Sequence, residues 1–261
     1  MGSDERIATD GFHTAERIAP RTWRIDECSM VNCYLLEGDD SALLVDAAVG
    51  VGDLQTFVAT LTDRPVTLAV THRHPDHMGA AWRYGSYFAG SPDIAPVYSL
   101  LCLPAFRRAM TRAAGLEASS VALAHRLTKV LPMEDGHTFQ LGGRTVRAIS
   151  VPGHTAGSMA FVDEDAGIVL TGDDVNPDLW MHLPGCTSLE TWRAGADRIL
   201  GLLRDGLTGW YGHGLGLQTL EQVEETRRLV DELIAKRASG EVGRGRGSYP
   251  SDDAGIVIRY R

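Results

Sequence analysis

The sequence predicts an α/β fold on three observations: short apolar runs that end in polar residues, an amphipathic helical stripe set among the first of them, and two capping-box helices late in the chain. The first strands are read at residues 32–38 (NCYLLEG) and 41–48 (SALLVDAA), with Gly38, Asp39 and Asp40 between them suited to a hairpin turn. Leu54, Phe57, Val58 and Leu61 then recur at i, i+3, i+4 and i+7, a helical stripe that Pro65 keeps from continuing. Residues 66–70 (VTLAV) read as a buried strand.

Directly after that strand, THRHPDH packs His72, His74, Asp76 and His77 into six positions. Pro75 is expected to block a helix through the middle of this stretch, leaving a loop in which the side chains converge. Residues 100–130 turn helical, in two runs divided by Gly115, and predict a helical insertion or lid at about 99–130. His125 lies in the second run and is read, like His13 and His137, as structural or surface-lying.

The strand pattern resumes with HTFQLGG, RTVRAISV, SMAFVDED and GIVLTGDD. Thr187 with Glu190, and Thr219 with Gln222, have the spacing of capping boxes ahead of two apolar stripes. Residues 241–255 are expected to be a flexible loop and IVIRY a closing strand. No internal repeat or linker demands a second unit, so residues 1–261 read as one domain.

Composition narrows the partners. A formal charge of −9 opposes a phosphate backbone, which argues against nucleic acid. No apolar run approaches the roughly 18 residues needed to cross a bilayer, and the N-terminus is too polar for a secretory leader, so no membrane partner is expected. Cys28, Cys33, Cys102 and Cys186 form no CxxC pair, which excludes a zinc ribbon and fits reduced thiols in a cytoplasm. The expected partner is a small-molecule substrate, with the oligomeric state left unknown.

Four separated segments place metal-capable residues just past an apolar strand: His72, His74, Asp76 and His77; His154 in VPGHTAGS; Asp173 in LTGDD; and His213 in WYGHG. Singly, each has an ordinary explanation, such as a helix cap for Asp76 or a satisfied core group for His154. Together they do not, because burying five imidazoles and two carboxylates without a cation costs several kcal/mol per unsatisfied group. Seven such groups exceed one tetrahedral ion, and the arithmetic points to two metals sharing a bridge.

These motifs, running from Asn32 to His213, closely resemble those of the metallo-β-lactamase superfamily of metal-dependent hydrolases. The resemblance implies a four-layer αββα sandwich with metals held between two sheets. It also implies the ligand sets: His72, His74 and His154 on one metal, Asp76, His77 and His213 on the other, and Asp173 bridging. True β-lactamases of the superfamily have a cysteine or no bridging carboxylate where this chain has Asp173, so antibiotic hydrolysis is not expected. The aspartate set looks like that of glyoxalase II thioesterases, lactonases and ribonuclease Z. Glyoxalase II carries a further C-terminal helical region for glutathione, and only 48 residues follow His213 here.

The expected activity is cleavage of a small ester, thioester or lactone through a metal-bridging hydroxide supplied by two Zn2+. Asp76 is the expected proton acceptor, Tyr211 a hydrogen-bond donor to the oxyanion, and His182 a proton donor to the leaving group. Trp180 and Met181 are candidates for the mouth of the site. The alternative carried by the same resemblance is a mononuclear iron persulfide-dioxygenase-like oxidoreductase with one Fe2+. A non-catalytic member, which usually arises by ligand loss, is disfavoured because all seven residues are present.

Overall fold

A computed structural model of the chain describes residues 7–94, 103–122, 128–243, 245–251 and 255–261. The first sheet has eight strands in chain order: β1 (Ile7–Thr9), β2 (His13–Ala19), β3 (Thr22–Glu27), β4 (Val31–Glu37), β5 (Ala42–Val45), β6 (Val66–Ala69), β7 (Ser86–Gly90) and β8 (Lys129–Met133). β1 to β5 run antiparallel as a meander, and β5 to β8 pair in parallel. The parallel half requires crossovers, and helix α1 (Leu54–Leu61) supplies the first of them. Its cap is Asp53, whose carboxylate accepts from the Thr56 amide, and it ends four residues before Pro65.

The second sheet uses β9 (Thr138–Gln140), β10 (Thr145–Ser150), β11 (Met159–Asp163), β12 (Ile168–Gly172), β14 (Thr208–Tyr211) and β15 (Leu217–Gln218), with β12 and β14 parallel. A third, three-stranded sheet joins β13 (Asp178–Met181), β16 (Gly247–Pro250) and β17 (Val257–Tyr260). Helices α4 (Leu189–Arg204) and α5 (Leu220–Ser239) pack together over the second sheet.

Three apolar clusters define the layers. Leu36, Leu43, Val45 and Met133 of the first sheet meet Val146, Phe161 and Leu170 of the second, so the two sheets pack face to face. The outer face of the first sheet is covered by Leu54, Phe57 and Val58 of α1. That of the second is covered by Trp192, Ile199 and Leu203 of α4 with Leu229 and Leu233 of α5. The result is an α/β, four-layer αββα sandwich. Each fully buried leucine in it contributes about 1.5–3 kcal/mol of transfer free energy.

Several expectations change. Pro75 does not stop a helix; it occupies the first position of a one-turn helix α2 (Pro75–Met78), where its missing N–H costs nothing. The anticipated cap at Thr187 moves to Ser188, whose hydroxyl accepts from the Thr191 amide, whereas the Thr219–Gln222 box forms with both halves in place. The stretch read as a flexible tail contains β16, because Gly247–Pro250 finds an antiparallel partner in β17.

In the proposed helical insertion, α3 (Leu103–Ala113) is present, and the described residues of the second run form no α-helix. Ala118–Ser120 is a single 3-10 turn, Val121 bridges Val51, and Lys129–Met133 is strand β8, because the edge of the first sheet captures it. Residues 95–102 and 123–127, with Cys102 and His125, lie outside the described residues.

Candidate metal centre

Parallel pairing brings strand ends together. β5 and β6 deliver Asp46 and the 71–77 segment to one edge of the first sheet, while β12 and β14 deliver Asp173 and His213 to the facing edge of the second. His154 leaves β10 on the same side. Six of the seven side chains are buried, and the His213 side chain, 30% exposed, marks the open side.

They gather in two groups able to hold a cation, His72 with His74 and His154, and Asp76 with His77, Asp173 and His213. Within each group the ligand atoms lie within 4.8 Å of one another. In the first, the nitrogens His154 Nε2 and His74 Nδ1 are 2.7 Å apart. In the second, Asp173 Oδ2 lies 3.0 Å from His213 Nε2 and 3.4 Å from His77 Nε2, and it reaches to 3.8 Å from His154 Nε2 of the first group. One carboxylate oxygen therefore faces both groups. Asp76 is held more loosely, its Oδ2 being 3.7 and 3.8 Å from His213 and His77.

Three buried atoms at this focus, His72 Nε2, His77 Nε2 and Asp173 Oδ1, have no hydrogen-bond partner in the protein. Buried polar atoms are rarely left so, and these belong to the donor types that zinc and iron accept, so the residues fit a metal. The electrostatics agree. Burial holds His72, His74 and His154 below the ordinary imidazole pKa, which keeps their lone pairs free. Burial also opposes charge on His213, yet Asp173 and Asp76 outweigh it and push its pKa up to about 9. Asp173 is itself held well below the usual carboxylate range, against the effect of burial, by His213 and His77. Carboxylates that draw protons onto neighbouring imidazoles equally draw a divalent cation.

Residues that the motif reading missed hold the others in place. Asp46 accepts from His77 Nδ1 at 2.8 Å and from the Thr71 amide at 2.7 Å, and sits at φ 69°. It follows an apolar strand as Asp173 does, so the same rule could have found it. Asp93 accepts from the Arg73 amide at 3.0 Å and from the Thr155 hydroxyl at 2.7 Å, tying the 72–74 segment to the His154 loop. The His154 ring is oriented by Nδ1, which donates to the Trp180 carbonyl at 2.7 Å. Such outer partners set the tautomer and direction of a ligating imidazole. Asp46→Asn, which tolerates the positive φ, is therefore expected to keep the fold and weaken metal binding about tenfold to a hundredfold, read by chelator competition.

The remaining expectations fare unevenly. Tyr211 lies at the end of β14, but the next residue, Gly212, is the one whose Cβ would point at Asp173 and His77. Met181 is core, packed with the α4 and α5 layer. His182 stands beside Trp180, with ring centroids 5.4 Å apart, and burial followed by Arg246 and Arg259 lowers its pKa.

An αββα sandwich with a two-group His/Asp cluster between its sheets defines a metal-dependent hydrolase class. The sequence pattern of the metallo-beta-lactamase superfamily matches residues 26–199, and the chain belongs to that superfamily. Among its relatives, the lactamase-like protein notP of an Aspergillus species is 26% identical over 92% of this chain and 74% of its own length. The atrochrysone carboxyl ACP thioesterase dmxR1 of a Cryptosporiopsis species is 24% identical over 89% and 70%. A metallo-beta-lactamase family protein from Thermus thermophilus shares the fold, with TM-score 0.64 and 22% identity over 88% of this chain and 85% of its own. A further structure, solved in a di-iron-bound form, has TM-score 0.53 and 26% identity over 75% and 93%. The protein is thus a metal-binding hydrolase of the metallo-β-lactamase fold. Among the described residues, no helix is long and apolar enough to cross a membrane.

Proposed function

We propose that the protein hydrolyses a thioester, in preference to other ester-like bonds, at a dinuclear zinc centre. The observation that carries the dinuclear part is the Asp173 carboxylate, whose single oxygen faces His213, His77 and His154 and so links the two groups. The thioester part rests on relatives named as acyl-carrier-protein thioesterases that align over most of this chain. His72, His74 and His154 would hold one ion, Asp76, His77 and His213 the other, with Asp173 between them. Bound there, the pair supplies water of lowered pKa at neutral pH and a Lewis acid for the carbonyl.

The chain's own residues do the rest. Substrate approaches from the His213 side, the exposed one, and the buried remainder of the site excludes bulk water. Asp76 Oδ2, the more loosely held carboxylate oxygen, would accept a proton from the attacking water. Burial raises the Tyr211 phenol above its ordinary pKa, so at neutral pH it is a donor for a substrate oxygen arriving beside His213. The free thiols of Cys28, Cys33 and Cys186 accord with a reducing compartment, and the location in this reading is cytoplasmic.

Elemental analysis of protein purified without added metal, followed by a thioester and lactone screen, tests the reading. About two zinc per chain with thioester turnover is the expected result. Two iron per chain with the same turnover would correct the metal alone, as the di-iron neighbour allows. One iron with oxygen consumption on a sulfur substrate would replace the reading with the dioxygenase.

A further inference from the structure

Strand β4 is buried but for its last residue, yet it carries a wholly buried amide side chain at Asn32. Burying such a group is costly unless its hydrogen bonds are made. Here they are made across the gap between the sheets, to the segment that carries His213. The Asn32 main-chain N–H donates to the Gly212 carbonyl at 2.7 Å. Its side-chain Nδ2 donates to the carbonyls of Gly214 at 3.2 Å and Tyr211 at 3.4 Å. Tyr34, two residues along the strand, adds its hydroxyl to the Tyr211 carbonyl at 2.5 Å.

Arg24 of β3 fixes which way the amide points. Its guanidinium can only donate, and it meets Asn32 Oδ1 at 3.2 Å, so the Nδ2 side must face the two carbonyls. The same Arg24 nitrogen reaches the Gly214 carbonyl at 3.2 Å, while Glu16 holds the other end of the guanidinium at 2.7 Å. The 212–216 segment lies tight against these groups. A Cβ at Gly216 would stand 2.8 Å from Tyr34 Oη, 3.2 Å from Arg24 Cδ and 3.3 Å from Asn32 Nδ2. The His213 ring is aimed from the same side, its Nδ1 donating to the Met30 carbonyl at 2.6 Å and leaving Nε2 toward Asp173. His213 thus follows a strand of the second sheet, but its placement is set by the first.

Resting on the dinuclear reading, we propose that Asn32, oriented by Arg24 and supported by Tyr34, is the positioning residue that aims His213 and so sets the affinity of the second ion. His213 is the most exposed of the seven side chains and has the least packing to hold it. Asp76 is loosely held in the same group, so that ion leans on His77, Asp173 and a correctly placed His213. Asn32→Asp keeps the shape and the acceptor for Arg24, but sets a carboxylate oxygen against both carbonyls. Tyr34→Phe removes a single bond.

The test titrates Zn2+ into the metal-free full chain by chelator competition, in wild type, Asn32→Asp and Tyr34→Phe. One of the two zinc ions is expected to bind about tenfold to a hundredfold more weakly in Asn32→Asp and about fivefold more weakly in Tyr34→Phe, with the other unchanged. Ring 15N shifts assign it: His213 Nε2 should respond at higher zinc in the variants, and His72, His74 and His154 at the wild-type concentration. Equal weakening of both ions overturns the proposal, since loosening of the fold as a whole would not discriminate, and so does an unchanged His213 response. Should Asn32→Asp not fold, Tyr34→Phe decides alone on the same readouts. One zinc per wild-type chain would end the dinuclear reading without deciding the role of Asn32. Hydrogen exchange of the metal-free chain then decides it, because the Tyr211 amide bonds the Gly216 carbonyl and the Gly216 amide that of His213. Exchange at both is expected to rise about tenfold in Asn32→Asp, and unchanged exchange overturns the proposal.

Discussion

Asp173→Ala is expected to cut turnover to below about one thousandth of wild type, while the protein remains folded and binds less than its full complement of metal. The carboxylate contacts three imidazoles from two strand ends of the second sheet and one segment of the first, and no neighbouring acid replaces it. Asp76 lies 3.7 Å or more from the same imidazoles and faces only the second group. Losing Asp173 therefore leaves the imidazoles with half the negative charge that draws a cation to the second group. Metal stoichiometry and kcat measured on the same preparation check the expectation. A variant with full turnover would remove Asp173 from its bridging position.

Gly212→Ala makes the second large effect, through space alone. The added Cβ would lie 2.5 Å from Asp173 Oδ1 and 2.6 Å from His77 Cε1, both inside any allowed contact. Gly212 has no positive φ, so its backbone accepts alanine and the penalty falls on the centre. Either Asp173 or His77 must move, and a shift of an ångström in such a site costs about a hundredfold in rate. Loss of metal from the Asp76, His77 and His213 group with near-normal secondary structure is the expected result, read by metal analysis and circular dichroism. Gly201→Ala in α4, where a Cβ meets nothing within 4 Å, is the control and should stabilise by roughly 0.5–1 kcal/mol.

Much of the centre was legible because its residues obey a local rule: a polar group one to three positions past an apolar strand. VTLAV before His72, and GIVLTG before Asp173, show it without reference to any other part of the chain. Helices with strong stripes were equally legible, as α1, α4 and α5 are. The failures came where a local signal was weak and a distant partner decided. Lys129 and Val130 end a run read as helical, yet Lys129–Met133 pairs with β7, and Gly247–Pro250 looks like a loop until β17 is beside it. The edge of a sheet supplies backbone hydrogen bonds that outweigh modest intrinsic preferences.

The sequence by itself marked the side chains that gather at the candidate centre, since imidazoles and carboxylates in those strand-end positions have the chemistry a metal needs. It could not show that His74 and His154, 80 residues apart, bring nitrogens to 2.7 Å, nor that Asp173 reaches both groups. Those distances follow from two sheets closing on a shared apolar core, which sets one edge against the other. The same closure decided that Gly212 must lack a side chain, that Asp46 must orient His77, and that Trp180 must face outward. Residue identity is a local property of the chain, whereas which groups meet is decided by the long-range packing that buries the apolar strands.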